Sequence, residues 1–92
     1  MLSCELKKDE GNDRYGFSTV AYPDGGLEIT RVERRGLLAL WNTARRKGGP
    51  KAMVGVGDVV KQVNGVGPYD DDAMRDELDE DYIHLLVVKT RM

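Results

Sequence analysis

The sequence predicts a small α+β domain: five or six short antiparallel strands, partly wrapped as an open barrel or sandwich around one core, capped by two helices. Three observations carry this prediction. Apolar residues alternate with polar ones over several short runs, each bounded by Gly, Pro, Asn or Asp. Two other segments space their apolar residues as a helix does. The chain has 92 residues and 40% apolar content, which suits one modest core and one domain over residues 1–92.

Met1 to Lys8 reads as an edge strand, with Leu2, Cys4 and Leu6 alternating against Ser3, Glu5 and Lys7. Asp9 to Arg14 is a polar loop, and Tyr15 to Tyr22 returns as a strand of aromatic and β-branched residues. Pro23-Asp24-Gly25-Gly26 makes the next turn, and Leu27 to Val32 is the hairpin partner. From Gly36 to Lys47 the period changes: Leu37, Leu38, Leu40, Trp41 and Ala44 fall at helical spacing. Arg45, Arg46 and Lys47 then occupy the last turn, where cations complement the macrodipole, and Gly48-Gly49-Pro50 stops the helix. Trp41 reads as core.

Val59, Val60 and Val63 make a strand opened by Gly57-Asp58 and closed by Asn64-Gly65, two residues that tolerate φ > 0. Pro68 to Asp72 leads into a second helix, with Asp70, Asp71 and Asp72 in its cap and first turn. Ala73, Met74 and Leu78 form its narrow apolar face. Tyr82 to Lys89 is apolar on both faces and reads as a central strand.

Composition excludes several functions. A lone Cys4 makes no internal disulfide, and one His with one Cys builds no structural zinc site. Both residues read as structural, so neither metal nor cofactor is expected, and the chain reads as no enzyme. The acidic run Asp70 to Asp81 is not a calcium loop, because Arg75 fills the glycine position of an EF-hand. A reducing, intracellular and cytoplasmic setting is expected: no apolar run approaches the roughly 18 residues of a membrane span, and no signal segment is evident. Residues 1–52 carry a charge of +3 and residues 53–92 one of −5. No dominant basic face is expected for nucleic acid, and the acidic half favours a ligand with a basic component.

The chemistry-bearing motif is Arg14-Tyr15-Gly16-Phe17. A glycine between two large apolar residues lets successive N–H groups converge into an anion nest, with aromatic walls beside it. About 40 residues later follows Gly-Asp-x-Φ-x-x-Val-Asn-Gly, with Φ apolar, at 57–65. Together, and in this order of elements, the two motifs resemble those of PDZ domains, over roughly Leu2 to Arg91.

The resemblance implies a module that takes the C-terminal or an internal strand-like peptide of another protein as an added strand against Phe17 to Ala21, facing the second helix. Tyr15, Gly16 and Phe17 would present amides to a terminal carboxylate. Tyr15, Phe17, Thr19 and Leu78 would line the terminal socket, with Met74 close by. Asp71, counted back seven from Leu78, would open the second helix and read the ligand residue two before the end, with Asp70 and Asp72 as the alternatives in another register. Arg14, Ser18 and Arg75 complete the candidate set, Arg14 as the cation near the carboxylate.

Three departures from the family pattern bear on specificity. An acid replaces the common His at the helix opening, Thr19 replaces an aliphatic residue, and residues 36–52 with Trp41 are longer than the family norm. The resemblance leaves two other readings: a regulatory domain of a larger enzyme such as a protease, or a membrane-surface adaptor using Arg34, Arg35, Arg45, Arg46, Lys47 and Lys51. A monomer is expected, apart from Thr90-Arg91-Met92, whose hydroxyl-x-apolar ending has the form of a ligand for another copy.

Overall fold

The computed structural model describes residues 1–89. Its five strands form one antiparallel sheet: β1 (Leu2–Lys7), β2 (Phe17–Ala21), β3 (Leu27–Val32), β4 (Val59–Val63) and β5 (Tyr82–Val88), in the spatial order β1-β5-β4-β3-β2. Two helices accompany it, α1 (Leu37–Ala44) and α2 (Asp71–Glu77). The α+β class holds, and so do two sheet positions: β1, read from its alternation, is an edge, and β5, read from its apolar run, is central between β1 and β4. The Thr90–Met92 ending lies outside the described residues.

The core lies on one face of the sheet. Cys4 and Leu6 of β1, Leu27 and Ile29 of β3, Val60 and Val63 of β4, and Ile83, Leu85 and Val87 of β5 all point into it. Leu38 of α1 and Met74 of α2 cover them. The other face of β5 is not buried, contrary to its apolar composition. Tyr82 is exposed there, and His84 is hydrogen-bonded to Ser3 Oγ at 2.5 Å across the β1–β5 ladder. Register shifts between Ser18 and Thr19 and between Val60 and Gln62 bend the sheet over the core.

Cys4 is fully buried, and that burial pushes its thiol up to about 12. The thiolate is the reactive form, so at pH 8 the folded chain should label with a maleimide at least ~100-fold slower than the unfolded chain. Equal labelling rates with and without denaturant would show that β1 opens freely.

The predicted turn at the end of β4 forms as read. Asn64 (φ 53°) and Gly65 (φ 80°) are both left-handed, and Val63 and Val66 bridge across them. Asn64 does more than turn the chain. Its Oδ1 accepts from the His84 N–H at 2.8 Å, and its Nδ2 donates to Glu77 at 3.0 Å, tying the turn to β5 and α2.

The first helix is shorter than the 36–47 periodicity predicts. It ends at Ala44, and two 3₁₀ turns follow, Arg46–Gly48 and Pro50–Ala52. Long-range side-chain bonds explain the change. Asn42 pairs with both the N–H and the C=O of Val54, and Arg45 Nε donates to the Ala52 carbonyl at 2.9 Å. These bonds fold residues 46–54 back along the helix instead of extending it. Arg45 is the residue that caps the end of α1, and its guanidinium lies over the ring of half-buried Trp41, 4.4 Å from its centroid. The basic residues of this region therefore do not share one helix: Arg34 and Arg35 precede α1, whereas Arg46, Lys47 and Lys51 lie on the 3₁₀ turns. No helix among the described residues is long and apolar enough to cross a membrane.

Candidate functional site

Gly16 is where the loop after β1 becomes β2, and it explains why that strand begins two residues later than its composition predicts. Its φ of +75° is left-handed, a region that L side chains rarely adopt. It also crosses Gly36 backbone against backbone: a Cβ added at Gly16 would lie 2.5 Å from the Gly36 Cα. Around this crossing the carbonyls of the loop are taken up. Glu33 N–H donates to Gly16, Leu37 N–H to Arg14 and Leu38 N–H to Tyr15, at 2.8, 2.9 and 3.0 Å. The N–H groups are not. Among the described residues, neither the Tyr15 nor the Gly16 amide donates to a backbone or side-chain acceptor. Residues 33–38 thus hold the loop by its acceptors and take none of the Tyr15 and Gly16 donors.

Beside the loop is a cavity of about 310 Å³ lined by Lys8, Asp13, Arg14, Tyr15, Gly16, Phe17, Thr19, Glu33 and Leu78. It sits at the beginning of β2, an edge strand whose outer side has no partner strand among the described residues. Phe17 and Thr19 lie on the same side of β2, half-buried, whereas Ser18 and Val20 are exposed on the other.

Tyr15 forms one wall. It is only 8% exposed, and its hydroxyl donates to the Glu80 carbonyl at 2.5 Å. Burial, with the nearby Asp81 and Glu80 carboxylates, pushes its phenol up to about 12, so it remains a neutral donor across the physiological range. The adjacent Lys8 N–H donates to the Asp81 carbonyl at 2.7 Å. These two bonds fasten the turn after α2 to the loop after β1, bringing Leu78 to the cavity.

Charge in the cavity is mixed. Arg14 and Glu33 form an ion pair at 3.2 Å, with Arg14 largely exposed. Lys8 forms no salt bridge among the described residues, and its ammonium lies 4.9 Å from the Tyr15 ring centroid. Of the two cations, Lys8 is therefore the one a bound anion can take without displacing a carboxylate.

The structure brings Arg14, Tyr15, Gly16, Phe17, Thr19 and Leu78 together. Ser18, Asp71, Met74 and Arg75 are not among the lining residues. Met74 is fully buried, against Gly67, where a Cβ would come 2.6 Å from its sulfur. It seats α2 on the core and is not among the residues lining this cavity. Asp71 is the first residue of α2, as counted, while Asp70 caps the helix by accepting from the Ala73 N–H at 3.0 Å.

Lys8, Asp13, Glu33 and Gly36 were not among the candidates. Lys8 had a legible signal, as the last residue of the predicted edge strand next to the loop. Glu33 and Gly36 reach the site only because residues 33–38 dock on residues 14–16. Compared with known proteins, the chain matches no family model and no curated sequence.

Proposed function

We propose that the chain is a peptide-recognition module of the PDZ type, capturing the C-terminus of another protein by strand addition along β2. One observation carries this reading: a left-handed glycine at the open end of an edge strand, whose Tyr15 and Gly16 amides donate to no protein acceptor among the described residues, beside a cavity walled by Tyr15, Phe17 and Leu78. Successive N–H groups at a left-handed glycine, with no acceptor within the described residues, are a ready seat for a carboxylate. The terminal side chain of the ligand enters the cavity, and the preceding residues pair with the outer edge of Phe17–Ala21. Lys8 supplies the cation at the carboxylate.

The three acidic residues that open α2 favour a basic or hydroxyl-bearing residue two positions before an apolar C-terminus. One added strand and a cavity with polar walls give micromolar affinity. Fluorescence anisotropy with a library of C-terminal peptides tests the reading. Peptides with a free carboxylate should bind, and their amidated forms should bind at least ~10-fold more weakly, because the amide loses the charge that strengthens its hydrogen bonds. Equal binding of acid and amide would remove the loop from the site.

A further inference from the structure

A second cavity, of about 600 Å³, opens on the other side of the Arg14–Glu33 ion pair. Arg14, Arg31, Arg34 and Arg35 line it together with Val32 and Glu33. Four guanidinium groups against a single carboxylate leave a local charge of +3, in a chain whose net charge is −2. The concentration is therefore a property of this place and not of the composition. Every cation here is an arginine, the side chain whose planar fork matches tetrahedral oxyanions bidentately, and none is a lysine.

The backbone that presents them is pinned. Arg31 is held in the β2–β3 ladder opposite Ser18. The Glu33 N–H is bonded to Gly16, the Arg35 carbonyl accepts from Asn12 Nδ2 at 3.2 Å, and the Leu37 N–H is bonded to Arg14. Like charges gathered on a fixed backbone repel one another, and nothing in the local fold requires them: Arg31, Arg34 and Arg35 bury no apolar core and, among the described residues, form no ion pair with each other's neighbours beyond Arg14–Glu33.

We propose that this arginine cavity is an anion site for a phosphomonoester dianion, separate from the cavity at Gly16. A dianion offsets most of the +3 charge, and its three terminal oxygens take forks from more than one arginine at once. A carboxylate, with one charge and two oxygens, does neither. The same dianion is presented by a soluble phosphate ester or by a phosphorylated lipid headgroup, and the two sources are separable.

The test is a titration of the ¹⁵N-labelled chain at constant ionic strength with inorganic phosphate, with inositol trisphosphate and with acetate, followed through amides 31–35 and the arginine Nε–H signals. Phosphate and inositol trisphosphate should give saturable shifts there, and acetate should not. The Arg34→Ala/Arg35→Ala variant, whose substitutions are both on the surface, should keep a dispersed spectrum and bind at least ~10-fold more weakly. Sedimentation with phosphatidylcholine vesicles, with and without 5% phosphatidylinositol bisphosphate, assigns the source. Selective pelleting lost in the variant marks the headgroup, and saturable soluble binding without pelleting marks a free ester. Non-saturating shifts, equal shifts with acetate, or unchanged affinity in the folded variant would each overturn the site. None of these readouts uses a peptide, so the result stands apart from the function proposed for the Gly16 cavity.

Discussion

Replacing Asp58 by alanine should destabilise the chain by about 3–5 kcal/mol, the range for breaking a buried ion pair from one side. Among the described residues, Asp58 is the one charged residue that is fully buried. Its Oδ2 accepts from Lys89 Nζ at 2.5 Å and from the Gly55 N–H at 2.8 Å, and its own carbonyl accepts from Ile29. The Lys89 ammonium also donates to the Met53 carbonyl. One carboxylate therefore joins residues 53–55, the start of β4 and the exit of β5, next to β3. Removing it leaves a cavity, an unsatisfied N–H at Gly55 and a half-covered ammonium.

A companion substitution on the other partner separates these costs. Lys89 is 20% exposed and can turn toward water, whereas Asp58 is sealed. Lys89→Met removes the Lys89 ammonium from the buried carboxylate and should cost at least as much as Asp58→Ala. Asp58→Asn retains the shape and one acceptor and should cost less than either. Urea unfolding of the three variants measures the order. Against a total stability of about 5–15 kcal/mol, a loss this large leaves a fraction of the chain unfolded at 37 °C. A loss below about 1 kcal/mol for Asp58→Ala would show the pair to be dispensable.

This pair also shows what a sequence can and cannot disclose. Gly57-Asp58 was legible as punctuation before a strand, because turn chemistry is local. That Asp58 is sealed beneath Lys89, 31 residues away, is a consequence of the β4–β5 ladder and has no local signature. The same division runs through the chain. β3 and the Asn64-Gly65 turn came out at the expected residues because alternation and positive φ are decided within a few positions. The end of α1 did not, because bonds from Asn42 to Val54 override the helical periodicity of residues 45–47. Met74 shares a helical face with Leu78, as their spacing dictates. Yet Gly67 lies opposite Met74 and the open cavity opposite Leu78, so one is core and the other is wall. The Φ-Gly-Φ motif exposed the floor of the site, whereas Glu33 joined its charged rim only with the fold, through the docking of residues 33–38 on residues 14–16.

Gly36→Ala should be the most informative change at that floor, because alanine at this position suffers no conformational penalty of its own. Gly36 has φ −81° and ψ 170°, ordinary extended backbone. Its constraint is contact: an alanine Cβ would lie 2.4 Å from the Gly16 Cα and 2.6 Å from the Tyr15 carbonyl oxygen. Both are backbone atoms, so no rotamer relieves the overlap and the two segments must part. Overpacking of this kind costs about 1–3 kcal/mol. Gly16→Ala meets the same contact from the other side and adds the left-handed penalty at φ +75°, about 1 kcal/mol or more. Once the crossing has opened for one substitution, the second meets less resistance, so the double variant should lose less than the sum of the singles. Parting the segments also breaks the bonds from Leu37 and Leu38 that hold the Arg14 and Tyr15 carbonyls, and with them the backbone orientation at Tyr15 and Gly16. Gly36→Ala should therefore abolish the difference between acid and amide peptides while its chain remains folded by urea titration, although residue 36 does not line the cavity. If the folded variant still prefers the acid by the full factor, carboxylate capture does not depend on the Gly16–Gly36 crossing.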